Sequence, residues 1–217
     1  MNSGITYLDL PKLDQSLHDR LVQVADNMPT QPAETDWVSN YHGYRNLDFS
    51  YTDNFGKGKQ RDGETGTIPW DIIEELREQF RPYFGTVYPS IIQFVNSEPE
   101  LGPTHSGPHC DMFRPVGLNY QLRPGGSDVV TRFFTETRRE PDKTLIQSEH
   151  EREENLQVHK EYSVPMATWH VVETQRFHMV ANVETKRSVL ALVLEDLQLT
   201  YQTFCDRYKH LIIEDPK

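Results

Sequence analysis

Apolar residues recur along this chain in two rhythms, and the change from one to the other divides it. Leu13, Leu17, Leu21 and Val24 fall at spacings of four, four and three within residues 10–28, the stripe of an amphipathic helix. A second helix is expected over residues 70–83, where Pro69 stands near the first turn after Thr67 and Ile72, Ile73, Leu76 and Phe80 share a face. From about residue 90 the pattern shortens to apolar runs bounded by Gly, Pro and charged residues. Runs 91–95, 116–122, 128–135, 162–173, 177–183 and 187–195 read as strands. Arg123-Pro124-Gly125-Gly126 reads as the turn of a hairpin joining 116–122 to 128–135. A closing helix is expected over 197–213, with Leu199, Phe204, Tyr208 and Leu211 inward. Short strands with regular turn signals predict a mainly β protein, a barrel flanked by helices.

The stretches between these elements are polar. Residues 29–66 are rich in Asn, Asp, Gly and Tyr, and 57–63 reads as a turn or mobile loop. Tyr41, Tyr44, Phe49 and Tyr51 read as core and strand residues, with the mouth of a substrate site as the alternative. Residues 136–161 are the most charged tract and read as a solvated surface hairpin. The 217 residues are expected to form one domain: a helical buttress and aromatic loop region over 1–85, a barrel core over 90–196 and a C-terminal helix over 197–217.

Composition narrows the function classes. Lys and Arg number 22 against 33 Asp and Glu, a net charge of −11, which works against a polyanionic partner and makes nucleic acid an unlikely ligand. Two cysteines are too few for a disulfide framework, the first ten residues lack the features of a signal peptide, and no apolar run approaches 18 residues. The expectation is a reduced, cytoplasmic protein with no membrane attachment.

The chemistry centres on Gly107-Pro108-His109-Cys110-Asp111. In an extended strand residues i and i+2 share a face, so His109 and Asp111 present an imidazole and a carboxylate together while Cys110 points away. A shuffled chain of this composition, with nine His and fifteen Asp, yields a His-x-Asp triplet about 0.6 times, so the triplet alone is weak. A third ligand must come from a distant element, and His178 stands 69 residues on, inside an apolar run. Two histidines and one carboxylate form the facial triad, which leaves positions open on Fe(II). Arg187 follows nine residues later, ahead of the aliphatic run 189–194. If 177–183 and 187–195 pair as a hairpin, Asn182 lies opposite Arg187 and His178 opposite Ala191, with His178 and Arg187 on one face about 14 Å apart. A guanidinium reaching back toward the metal would then leave a gap suited to a small dicarboxylate. His105 is a further possible ligand, and His159-Lys160-Glu161 a rival triplet that leaves too few residues before His178 for the intervening strands.

His109-Cys110-Asp111, His178 and Arg187 together resemble the metal and co-substrate motif of the Fe(II)- and 2-oxoglutarate-dependent dioxygenases, prolyl-hydroxylase-like members included. The stretch from Ala167-Thr168-Trp169-His170 to Val180 is similar to the strand pair that leads into that family's distal histidine. The resemblance covers roughly residues 90–196 and implies a double-stranded β-helix, a jelly-roll, cupin-like barrel with the metal at one open end. It implies Fe(II) on His109, Asp111 and His178, and 2-oxoglutarate as co-substrate with its far carboxylate on Arg187. Asn119 or Tyr120, of which only one can face inward, is expected to add a hydrogen bond, and Asn182 is a further co-substrate candidate. One departure is Val189, where many members carry a serine two residues after the arginine; here Ser188 is displaced by one. A carboxylate at Asp111 favours hydroxylation over halogenation.

The expected substrate is a small polar molecule or an amino-acid or peptide side chain, hydroxylated at carbon with release of succinate and CO2. Arg114, Arg132, Arg138 and Arg139 gather near the metal motif and suggest a locally basic mouth, unless they pair with Glu136, Glu140 and the acidic tract. Two other classes remain: a cupin-like metalloenzyme using His105, His109, Asp111 and His178 without 2-oxoglutarate, and a noncatalytic barrel serving as a binding module.

Overall fold

The computed structural model describes residues 4–28, 43–47, 68–111, 114, 116–139, 149–196 and 198–214. The side chains of Tyr41, Tyr44, Phe49 and Tyr51 and the loop 57–63 lie outside that set.

Helix α1, Gln15–Asn27, starts where the Asp14 side chain accepts from Leu17 N at 2.9 Å, satisfying one of the amides that a helix start leaves open. Its buried stripe is Leu17, Leu21 and Ala25, with Val24 only partly covered. Helix α2, Trp70–Phe84, buries Ile72, Ile73, Leu76 and Phe80, the face its spacing predicts. It ends at Gly85, whose φ of 71° lies in the region glycine occupies without steric cost.

The strands are β1 (Ile5–Leu8), β2 (Gly43–Leu47), β3 (Val87–Asn96), β4 (His109–Cys110), β5 (Gly117–Arg123), β6 (Val130–Thr137), β7 (Glu149–His150), β8 (Val158–Tyr162), β9 (Trp169–Val172), β10 (Arg176–Ala181), β11 (Lys186–Leu194) and β12 (Ile212–Ile213). They form two antiparallel sheets, one ordered β12-β1-β9-β5-β11-β3-β2 and the other β7-β4-β10-β6-β8. From β3 the chain passes to β4 in the smaller sheet, β5 in the larger and β6 in the smaller. After β7 and β8 it resumes the alternation through β9, β10 and β11. That winding between facing sheets is a jelly roll, the double-stranded β-helix arrangement.

The winding corrects two expectations. Neither 116–122 with 128–135 nor 177–183 with 187–195 forms a hairpin: β5 and β11 pair with each other in the larger sheet, while β6 and β10 pair in the smaller. Lys186–Leu194 lies between β3 and β5 and is buried on both faces for most of its length, so it carries no alternation from which a partner could be read. The expected strand 162–173 is two strands in different sheets, parted by a bend at Ala167 with φ 58°. The closing helix is shorter than its spacing suggests. The Thr200 hydroxyl caps α3, Tyr201–Arg207, and the chain then turns into β12, which pairs with β1. Leu199, Phe204 and Leu211 are still buried, with Tyr208 partly so.

Helices α1, α2 and α3 cover one face of the larger sheet. Leu21, Ile73, Leu76, Phe80 and Phe204 pack there with Leu118, Tyr120 and Leu122 of β5, Trp169 and Val171 of β9, and Leu190 and Leu192 of β11. Trp169 donates its indole N–H to Pro11 O at 2.9 Å. Because side chains alternate along a strand, Asn119, Gln121, His170 and Arg187 face the other way, into the space between the sheets. No described helix is long and apolar enough to cross a membrane.

Candidate metal centre

Strand β4 is only two residues long, and His109 on it pairs across the ladder with His178 of β10. Asp111 follows β4, its amide donating to Thr174 O at 3.0 Å. Asp111 Oδ1 lies 3.4 Å from His109 Nε2 and 3.6 Å from His178 Nε2, and the three side chains are all but fully buried. Both imidazoles have Nδ1 against a backbone carbonyl, Gly107 O at 2.8 Å and Arg176 O at 2.9 Å. Those bonds place the ring proton on Nδ1 and turn a bare Nε2 toward Asp111, the form in which histidine ligates metal. Among the described residues His109, Asp111 and His178 converge as a group that can hold a metal ion.

The electrostatics suit a ligand set. Burial, followed by the neighbouring His109, pushes the His178 pKa down to about 4, so the ring is neutral at ordinary pH. Burial alone would raise the Asp111 carboxyl; the Arg114 guanidinium and the two histidines outweigh it and hold the group well below the usual carboxylate range. Arg114 donates from Nε and Nη2 to Oδ2 at 3.0 and 2.5 Å, leaving Oδ1 to face the histidines. Arg138 adds a bond to the Asp111 backbone carbonyl at 3.0 Å. Cys110 points away from the site into an apolar cluster with Phe134, Phe177 and Met179, and burial raises its thiol to about 12, making it an inert neighbour.

Arg187 enters the same interior from the opposite sheet. Its Nη2 donates to Gln121 Oε1 of β5 at 3.4 Å and to Thr131 Oγ1 of β6 at 3.3 Å. Among the described residues no carboxylate pairs with it, and burial lowers its pKa to about 10. Thr131 pairs with Val180, two residues along from the Phe133–His178 pair, so the guanidinium's anchor stands one two-residue step, about 7 Å, from the distal histidine. His178 and Arg187 stand on strands of different sheets, and the hairpin invoked to bring them together does not exist.

The other candidates sort clearly. Asn119 faces inward but is engaged by Arg114, whose Nη1 donates to its Oδ1 at 3.1 Å. Tyr120 faces the helices instead, 4.8 Å from the Trp169 ring, and is corrected as a co-substrate residue. Asn182 is corrected too: it is an exposed turn residue with φ 63° whose amide donates to Asp128 O. Ser188 points toward α1, accepting from Gln93 Nε2 at 3.1 Å, and Val189 holds the inward position. His105 does not join the converging ligand atoms, and His159 is exposed on β8, the edge of the smaller sheet. The basic mouth does not form either. Arg132 pairs with Glu153 and Glu161 and Arg139 with Glu149 and Glu151, while Arg114 and Arg138 hold Asp111.

Sequence reasoning missed Arg114 as the clamp on Asp111, the inward Gln121 and Thr131, and His170. The three-residue offset of Arg114 from Asp111 and the two-residue offset of Gln121 from Asn119 were available as signals.

No family model matches the chain, and no curated protein matches it. Solved structures of similar outline include a prolyl-4-hydroxylase of Pseudomonas putida, with TM-score 0.44 and 13% identity over 89% of this chain and 92% of that one. AviO1 from Streptomyces viridochromogenes Tue57 has TM-score 0.39 and 14% identity, over 88% of each chain. A bsmA homolog from Methylobium petroleophilum PM1 has TM-score 0.39 and 12% identity, over 82% of this chain and 80% of that one.

Proposed function

We propose that the protein is an Fe(II)- and 2-oxoglutarate-dependent dioxygenase that hydroxylates a C–H bond of a small polar molecule or an amino-acid or peptide substrate, with release of succinate and CO2. The observation that carries this reading is Arg187, a guanidinium deep in the barrel with no carboxylate partner among the described residues, bonded to Thr131, whose place on β6 is one two-residue step from the residue paired with His178. A buried unbalanced cation is costly, and an anionic ligand that reaches from the triad to Arg187 would neutralise it. A dicarboxylate of five carbons has the charge and length for that span.

The donor set suits iron. His109 and His178 would ligate through Nε2 and Asp111 through Oδ1, the atoms that already face one another. Bound with its co-substrate, the iron supplies the activation of dioxygen and the oxidising equivalents. The chain's own work is positional. Arg114 keeps Asp111 Oδ2 occupied, Gln121 and Thr131 aim the Arg187 fork, and Phe133 stacks on His178, ring centroids 5.7 Å apart, shielding it from water.

Titration of 2-oxoglutarate into the anaerobic Fe(II) protein tests the reading. A weak visible charge-transfer band is expected, because a 2-oxo acid bound at iron held by His109, Asp111 and His178 would supply one. Arg187→Ala should weaken co-substrate binding by about 30- to 1000-fold with metal content unchanged, and lysine should rescue it only partly. Metal binding with no band and no dependence on Arg187 would favour the cupin-like alternative.

A further inference from the structure

His170 is an interior group to which the triad and Arg187 assign no task. It is fully buried, its Nδ1 lies 3.3 Å from Thr168 O, and its Nε2 meets no hydrogen-bond partner among the described residues. A buried polar nitrogen without a partner is destabilising, so such atoms in native proteins commonly mark a place where something binds.

Register gives its direction. Trp169 and Val171, on either side, pack against the helical layer, so His170 points into the space between the sheets, directly across the ladder from Asn119. The two inward residues of β5 mark the two ends of the site. Asn119 accepts from Arg114, which holds Asp111, and Gln121 accepts from Arg187. His170 therefore flanks the route from the metal triad to Arg187. After burial, the charges that bear on it are those same two residues, Arg187 and Arg114, and together they push its pKa down to about 3, so the ring is neutral. Asp111 already balances Arg114, so Arg187 is the cation beside His170 with no carboxylate partner among the described residues, and an anion is the complementary occupant.

We propose that His170 is a co-substrate contact residue whose Nε2 hydrogen-bonds a carboxylate oxygen of the dicarboxylate lying between the triad and Arg187. The inference rests on the function proposed above. A carboxylate only accepts, so Nε2 carries a proton in the complex. It arrives from solvent as the anion offsets the nearby arginines, or from Nδ1 as the ring gives up its long contact to Thr168 O.

The test uses the Zn(II)-loaded full chain, which binds without turning over, with 2-oxoglutarate as the probe. In nitrogen-15 NMR the His170 Nε2 resonance, assigned by its loss in His170→Gln, should move on 2-oxoglutarate addition from the range of a bare imidazole nitrogen toward that of a protonated one. By calorimetry, His170→Leu should weaken 2-oxoglutarate binding by roughly tenfold or more, with His170→Gln between it and wild type and Zn(II) affinity equal in all three. An unmoved resonance together with unchanged affinity in His170→Leu would overturn the inference alone, provided Arg187→Ala still weakens binding by the roughly 30-fold or more expected above. Failure of the wild type to bind 2-oxoglutarate, or binding indifferent to Arg187, would overturn the proposed function and this inference with it.

Discussion

The Asp111 carboxylate divides its two oxygens between support and site, Oδ2 to the Arg114 fork and Oδ1 to the histidines. Alanine at His109, Asp111 or His178 should therefore sharply weaken Fe(II) binding and abolish activity, while His159→Ala, on an exposed edge strand, changes neither; metal analysis after dialysis checks this. His150 is a poor control, because it pairs directly with His109 across β4 and β7. Arg114→Met should lower metal affinity about 10- to 100-fold through Asp111, and leaving that carboxylate buried without its partner should cost on the order of 3 to 5 kcal/mol of stability. Metal titration and chemical denaturation measure the two effects separately. His170 adds a pH dependence. Its folded pKa, about 3, lies below its ordinary 6.5, so the unfolded chain binds the extra proton first. That contribution to stability is whole above pH 6.5 and is lost progressively as pH falls toward 3. Apo-protein melting between pH 7 and 5 should show the loss, and His170→Gln should reduce it, leaving the part that buried His178 contributes in the same window.

Turns as much as strands place the site. Gly125, in the connection from β5 to β6, has φ 91°, and a Cβ there would fall 2.8 Å from Arg187 Cβ and 3.1 Å from its backbone. The same residue's carbonyl accepts from Glu184 N at 3.0 Å and Thr185 N at 2.9 Å, tying the turn to the start of β11. Gly125→Val should cost about 1 to 3 kcal/mol, seen in the melting temperature, and should weaken 2-oxoglutarate binding by displacing Arg187 while sparing the metal. At this scale the helices were legible because each buries one stripe: Ile72, Ile73, Leu76 and Phe80 are buried as their spacing predicts. The strand partners were not. A run such as 189–194 is covered on both faces and fits any neighbour equally well, so turn signals at 123–126 suggested a hairpin where the chain crosses between sheets.

For the molecule as a whole, one sheet serves two environments. Its outer face is sealed by the helices, where Leu21, Phe80 and Trp169 are buried. Leu21→Ala should cost about 2 to 5 kcal/mol in denaturant unfolding and leave Fe(II) affinity unchanged below the transition, because the cavity opens on the side away from the triad. Its inner face carries Asn119, Gln121, His170 and Arg187 toward the smaller sheet. The sequence by itself determined the stripes of the first two helices, most strands of the barrel and the presentation of His109 beside Asp111, since periodicity and i, i+2 spacing are local properties of the chain. Tertiary structure alone decided that β10 and β11 face each other across the interior, that Asn119 and not Tyr120 turns inward, and that His170 Nε2 meets no hydrogen-bond partner among the described residues. Each of these depends on which strand lies beside or opposite which. Contacts between residues tens of positions apart are chosen by the packing of the two sheets, and leave no periodic trace in either segment.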